Sequence, residues 1–256
     1  MRIPRLYVDA PLSLHLTVTL DDAAAHRLTR VLRLRDNAAI RVFNGRGPEY
    51  EATLQRHDRG WCILPVAERD PAPPSPFRIT LAQSVTRSER MDFALQKAVE
   101  LGVSFIQPIM AERSTLKAQS ARLHNRHAHW LRTVIQACEQ CGRGDVPVLH
   151  EPREMQAWMA ENRTAVVLRA DAAHSLNELA LNGIEASVLV GPEGGFGDGE
   201  LRCAQTLGLA AAHLGPRTLR TETTALVALT ILQTRFGDLG RENPHGSHRA
   251  RADDGR

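Results

Sequence analysis

The chain has 256 residues, 43% of them apolar, and a net charge of +3 at neutral pH. That length accommodates one large domain or two moderate ones, and that apolar share is enough for a packed core. No uncharged apolar stretch reaches about 18 residues, which excludes a transmembrane helix. Met1-Arg2-Ile3-Pro4-Arg5 is followed by no apolar run of the kind a secretory leader carries. The four cysteines, at 62, 138, 141 and 203, lack the spacing of a disulfide scaffold. A cytoplasmic protein without a membrane partner is expected.

Basic residues are lopsided: of 32, all but Lys97 and Lys117 are arginine. Codon usage in a GC-rich genome accounts for most of such a bias, and phosphate recognition by guanidinium forks is the functional reading. Clustering points further. Arg27, Arg30, Arg33, Arg35, Arg41 and Arg46 face a single acid, Asp36, between His26 and Arg46. That is the footprint of a nucleic-acid contact, set against an ordinary solvated arginine face.

Residues 1–70 read as short strands and turns. Leu14 to Leu20 alternates apolar and polar, the pattern of a half-buried strand. A short helix is expected over Asp22 to Leu32. Ala39 to Phe43, ending in the turn pair Asn44-Gly45, Glu51 to Leu54, and Trp61 to Val66 supply further strands. Together they predict a small β-barrel. Asp70-Pro71-Ala72-Pro73-Pro74-Ser75-Pro76 then breaks the pattern, because so many prolines continue neither a helix nor a central strand. We take 71–76 as a linker.

From Phe77 strands and helices alternate. Strands are expected at Ile79–Ala82, Phe105–Ile109, Val146–Leu149, Val166–Leu168, Ser187–Val190 and Ala211–Leu214. Helices are expected at Ser88–Leu101, Ala121–Cys141, Arg153–Glu161 and from Glu222 to about Phe236. This alternation predicts an α/β domain over 77–237 with a mainly parallel sheet. The polar, Arg- and Gly-rich residues 238–256 are expected to be a disordered tail. Cys138-Glu139-Gln140-Cys141 is a lone CxxC, and His124, His127 and His129 sit on a polar helix. Neither pattern specifies a metal site, and no metal is expected.

Two loops carry the chemistry. Gly191-Pro192-Glu193-Gly194-Gly195-Phe196-Gly197-Asp198-Gly199 follows a strand. It is no phosphate loop, since no Lys-Ser/Thr follows, and its G-x-x-G-G-x-G spacing and late position fit a dinucleotide fingerprint poorly. Leu214 to Thr223 follows the next strand and places Arg217 and Arg220 beside Glu222. An ion-pair cluster at a helix start is the plain reading. Glycine permits close backbone approach, so two such loops at neighbouring strand ends predict one pocket walled by main chain.

The pair "LVGPEGGFGDGEL" (189–201) and "LGPRTLRTETTALVAL" (214–229) resembles the ribosomal RNA small subunit methyltransferase E family, of the SPOUT class. "MRIPRLYV" (1–8), "HRLTRVLR" (26–33), "FALQKAVELGVSFIQPIMAERS" (93–114) and "EQCGRGDVPVL" (139–149) match it too, and the likeness runs to about residue 237. Thr224 stands where an alanine is usual, Cys141 where a serine is, and Asn44 where an aspartate is common; none of these removes a loop residue.

The resemblance implies a C-terminal SPOUT-type trefoil-knotted α/β domain, preceded by a PUA-like β-barrel that docks RNA. It implies a homodimer that methylates N3 of a uridine in 16S rRNA, in the assembled 30S subunit, using S-adenosylmethionine. The cofactor residues it implies are Leu168, Gly191, Pro192, Glu193, Gly194, Gly195, Leu214, Gly215, Leu219 and Arg220. Uridine N3 must lose a weakly acidic proton, and Glu222 and Glu193 are the nearby carboxylates, while Arg217 or Arg220 suits stabilisation of the anionic ring, so Arg217, Arg220 and Glu222 are the expected catalytic residues. The basic N-terminal residues Arg2, Arg5, Arg27, Arg30 and Arg33 are the expected RNA contacts. Two other readings fit the residues less well. A nicotinamide-dependent dehydrogenase would need an acid at the end of its second strand, which is missing. A non-catalytic RNA-binding protein with a vestigial pocket would show a damaged glycine loop, and both loops are intact.

Overall fold

The computed structural model describes residues 3–58, 60–114 and 120–241. Arg2 and most of the expected tail lie outside them. The N-terminal sheet comprises β1 (Arg5–Tyr7), β2 (Val18–Thr19), β3 (Ala39–Phe43), β4 (Glu49–His57) and β5 (Gly60–Arg69), in the order β1-β3-β4-β5-β2. β1 and β3 run parallel and the other pairs antiparallel. Leu6, Ile40, Val42, Leu54 and Ile63 fill its core.

The alternation from Leu14 to Leu20 yields only the two residues of β2. His15 takes a left-handed φ of 61°, Leu14 and Leu16 are exposed, and pairing begins at Val18 opposite Ile63. Helix α1 (Asp22–His26) starts where the Asp21 carboxylate accepts the Ala24 N–H at 2.7 Å. It runs on as a π-helical turn over Arg27–Val31.

The second sheet is parallel throughout. It contains β6 (Arg78–Ser84), β7 (Phe105–Met110), β8 (Val148–Leu149), β9 (Arg153–Glu154), β10 (Val166–Leu168), β11 (His174–Ser175), β12 (Glu185–Val190) and β13 (Ala210–His213). The order is β11-β13-β10-β12-β6-β7-β8, with β9 also on β7. The helices are α2 (Ser88–Glu100), α3 (Ser120–Cys141), α4 (Met155–Glu161), α5 (Asp198–Thr206) and α6 (Thr221–Arg235).

Both faces of this sheet are covered, which explains why its strands read as continuous apolar runs. Leu81, Val166, Val188 and Val190 join a core with Met91, Leu95, Trp130 and Leu229 from the helices. Ala82, Val167 and Leu189 face the opposite core, with Met155, Trp158 and Ala204. After β13 the chain returns across the sheet, and α6 packs on α2, β6 and β12.

The two sheets meet at β1 and the end of α3. Arg5 is the centre of that contact. Its guanidinium pairs with Glu49 at 3.1 Å and donates to the carbonyls of Cys138 at 2.6 Å and Arg143 at 3.0 Å. It also lies 4.4 Å from the centre of the Phe43 ring. The Tyr7 N–H and Arg27 both donate to Glu139, at 2.9 and 2.6 Å. Arg5 is one of the residues expected on RNA, and here it stands inside the contact between the two sheets. Arg5 is 9% exposed, its donors serve the carbonyls at the end of α3, and it holds the two sheets together.

Candidate active site

The register of the parallel sheet brings three strand ends side by side. Leu168 of β10 lies opposite both Val190 of β12 and Ala212 of β13. The loops leaving these ends surround a cavity of about 500 Å³ at the carboxyl edge of the sheet, where open α/β sheets bind ligands. β13 and β12 are the strands flanking β10, so segments some twenty residues or more apart along the chain become neighbours.

Most of the expected residues line this cavity. Leu168 comes from the first loop, Gly191, Pro192, Glu193 and Gly195 from the second, and Leu214, Gly215, Arg217, Leu219 and Arg220 from the third. Gly194 is turned away: its carbonyl accepts from Arg113 at 3.1 Å. Glu222 sits one step into α6, beside the wall, with its side chain 12% exposed. Its Oε2 is buried and meets no hydrogen-bond partner among the described residues.

The glycines have specific work. A Cβ on Gly191 would stand 3.0 Å from the Phe196 ring, and Gly195 has a φ of +71°. Gly215, at φ +114°, donates its N–H to Nδ1 of His213 at 3.0 Å. The Thr221 hydroxyl donates to the Gly191 carbonyl at 3.1 Å, which ties the second loop to the start of α6.

Several residues here escaped the sequence reading. Arg90 of α2 lines the cavity, pairs with Glu193 at 2.8 Å and approaches Glu222 to 3.9 Å. Arg169 grips Asp171 through two bonds, at 3.0 and 2.6 Å, and so holds that carboxyl below its usual range. Glu200, 4% exposed, accepts the N–H groups of Gly197 and Glu112, each at 2.7 Å. A glutamate three residues into a helix that reaches back to the N-cap was a legible signal for it. Arg90 has no such local signature, because its partners lie more than a hundred residues away.

Charge around the cavity is uneven. Arg90 and Arg169 are neutralised by Glu193 and Asp171, whereas Arg217 and Arg220 are exposed and form no ion pair among the described residues. The mouth therefore offers free positive charge to an anionic ligand. No group of three potential metal ligands occurs among the described residues. Cys138 is buried, with its thiol pushed up to about 12, while Cys141 is exposed. His129 pairs with Asp92 at 2.9 Å. Of the arginines expected on RNA, Arg30 and Arg33 are exposed, and Arg27 is engaged with Glu139.

Comparison with known proteins shows the family of the chain. Residues 73–233 match the sequence model of an RNA methyltransferase domain, and residues 20–60 that of an RNA methyltransferase PUA domain. Ribosomal RNA small subunit methyltransferase E of Buchnera aphidicola is 32% identical over 242 residues, covering 93% of this chain and 98% of the relative. The crystal structure of the enzyme of that name from Neisseria gonorrhoeae, bound to S-adenosyl methionine, superposes with a TM-score of 0.83 at 36% identity, covering 93% of this chain and 99% of the other. A methyltransferase structure from Legionella pneumophila with bound cofactor SAM gives 0.88 at 31% identity, covering 93% and 100%. The chain belongs to the ribosomal RNA small subunit methyltransferase E family.

Proposed function

We propose that this protein transfers the methyl group of S-adenosylmethionine to N3 of a uridine in 16S rRNA. The substrate in this reading is the assembled small ribosomal subunit, and the enzyme works in the cytoplasm as a homodimer. Its C-terminal domain is knotted where α6 passes back across the sheet. The observation that supports the reading best is the convergence of three loops, two of them glycine-bearing, on one cavity. At about 500 Å³ the cavity falls within the roughly 300–1,000 Å³ typical of small-molecule sites.

The lining suits the cosubstrate. Main-chain groups of Gly191–Gly195 and Leu214–Gly215 would hold the polar edge of the cosubstrate's adenine, and Leu168, Leu214 and Leu219 would supply apolar contacts for the ring. Bound there, S-adenosylmethionine supplies an electrophilic methyl on a sulfonium. The protein contributes position first, which is worth roughly 7–11 kcal/mol at best. Uridine N3 carries a weakly acidic proton on the Watson–Crick edge, so the base must be unpaired and must be deprotonated. Glu222, with its unpartnered oxygen, takes the proton. Arg217 and Arg220 then stabilise the anionic ring, because a guanidinium stays charged and cannot itself act as the base.

Replacing Arg220 with alanine should lower turnover about a hundredfold while S-adenosylmethionine affinity stays within a few-fold; a near-normal rate would refute the role. Calorimetric titration with S-adenosylmethionine should show one saturable site. Methylation of 30S subunits and of protein-free 16S rRNA, followed by mass mapping, should place the methyl on one uridine, with the 30S subunit preferred. No binding, or methylation at another base or position, would overturn the proposal.

A further inference from the structure

In the N-terminal sheet, one apolar pattern ends up facing the wrong way for a core. Leu28, Val31 and Leu32 follow the i, i+3, i+4 spacing that an α-helix would bury on a single face. Leu28 is buried, but Val31 is 64% and Leu32 46% exposed. The cause is local. The Leu32 N–H bonds to the Arg27 carbonyl at 2.9 Å, five residues back, so the turn is π-helical and carries one extra residue. Val31 and Leu32 lie at and just after this turn and remain outside the core. Single π turns of this kind concentrate at functional sites.

The turn is held firmly. Leu28 sits in the barrel core, Arg27 donates to Glu139 of α3 at 2.6 Å, and the Leu34 N–H closes back on the Leu28 carbonyl at 3.0 Å. Arg33 adopts a left-handed φ of 55°, a strained state for a residue with a Cβ. Arg30, Arg33 and Arg35 are exposed around the apolar pair, and none forms an ion pair among the described residues. The nearby acid, Asp36, pairs with none of them: it accepts the Arg56 N–H at 2.8 Å and the Asn37 amide at 3.3 Å, and three arginines outnumber it.

We infer that Val31 and Leu32 form an apolar wedge that packs against an unstacked base of the RNA substrate, with Arg30 and Arg33 on the flanking phosphates. The inference rests on the reading of the chain as an RNA methyltransferase. Apolar side chains set between basic ones are how proteins part stacked bases. A second copy of this same face is disfavoured, since a self-complementary contact would set arginine against arginine.

The test uses the full chain and purified 30S subunits. Val31→Ser and Leu32→Ser are combined, and binding is measured by filter retention across roughly 50–200 mM salt. Affinity should fall about tenfold, the effect of losing apolar burial of these two side chains on binding, with the salt slope and the thermal midpoint unchanged. Arg30→Gln should instead reduce that slope by about one. Val31→Ile with Leu32→Met should retain normal affinity. A Ser/Ser variant within twofold of wild type overturns the wedge. So does one that binds RNA normally but shifts sedimentation, which would make the patch a contact between copies. Failure of the parent reading looks different: the unaltered protein would not methylate 30S subunits at all.

Discussion

Glu200 offers the sharpest energetic test of how the second loop is held. Its carboxylate accepts two backbone N–H groups at 2.7 Å, from Gly197 at the end of the glycine loop and from Glu112 across the sheet edge. Hydrogen bonds to a charged group contribute about 1.5–3 kcal/mol each. Removing both gives an upper limit near 6 kcal/mol, and relief of the carboxylate's own desolvation argues for the lower end, about 3 kcal/mol. Glu200→Ala should therefore lower the urea midpoint by that equivalent with an unchanged m-value. It should also weaken S-adenosylmethionine binding about tenfold, because the loop from Gly191 to Gly197 loses its preorganisation. Glu200→Gln keeps one acceptor but presents an amide to the second N–H, and should fall between the two. Urea denaturation and calorimetry on the same samples decide the matter. An alanine variant with wild-type stability and affinity would show that the loop is held by other contacts.

Other consequences are as direct. Arg5→Ala breaks a buried pair and leaves Glu49 uncompensated, so it should cost about 3–5 kcal/mol in chemical denaturation; the salt slope of RNA binding should not change. Gly191→Ala places a methyl 3.0 Å from the Phe196 ring, an overpacking worth about 1–3 kcal/mol, and calorimetry should show the loss in S-adenosylmethionine affinity. Burial pushes the Cys138 thiol up to about 12. A raised thiol pKa favours folding fully below the unfolded value near 9, and the advantage drains away as pH rises toward 12, by about 1.4 kcal/mol per unit. At pH 8, iodoacetamide should label exposed Cys141 and leave Cys138 untouched until the chain is unfolded.

Local chemistry explains which parts of the molecule could be read in advance. Val166–Leu168 and Ala39–Phe43 were predicted with their observed bounds, because β-branched runs between turn residues leave little choice. The stop of α2 at Gly102 was also legible, from a glycine with φ +78° after a helical apolar stripe. What failed was non-local. Nothing near Arg5 shows that Glu49 and the end of α3 will enclose it. Leu14–Leu20 has strand alternation but no partner strand before Val18. The cavity wall was visible in the two glycine loops, yet Arg90 enters it from α2 only because β6 is the neighbour of β12. The π turn hid in a pattern that looks like ordinary helix.

Three strand-end loops closing around one sulfonium cosubstrate are the heart of the proposed site. A crystal grown with S-adenosylmethionine tests it most directly. Density for the cosubstrate should lie between Leu168, Gly191–Gly195 and Leu214–Arg220, with its methyl facing the mouth where Arg217 and Arg220 stand. A vacant cleft at saturating ligand, or density bound elsewhere on the chain, would contradict it.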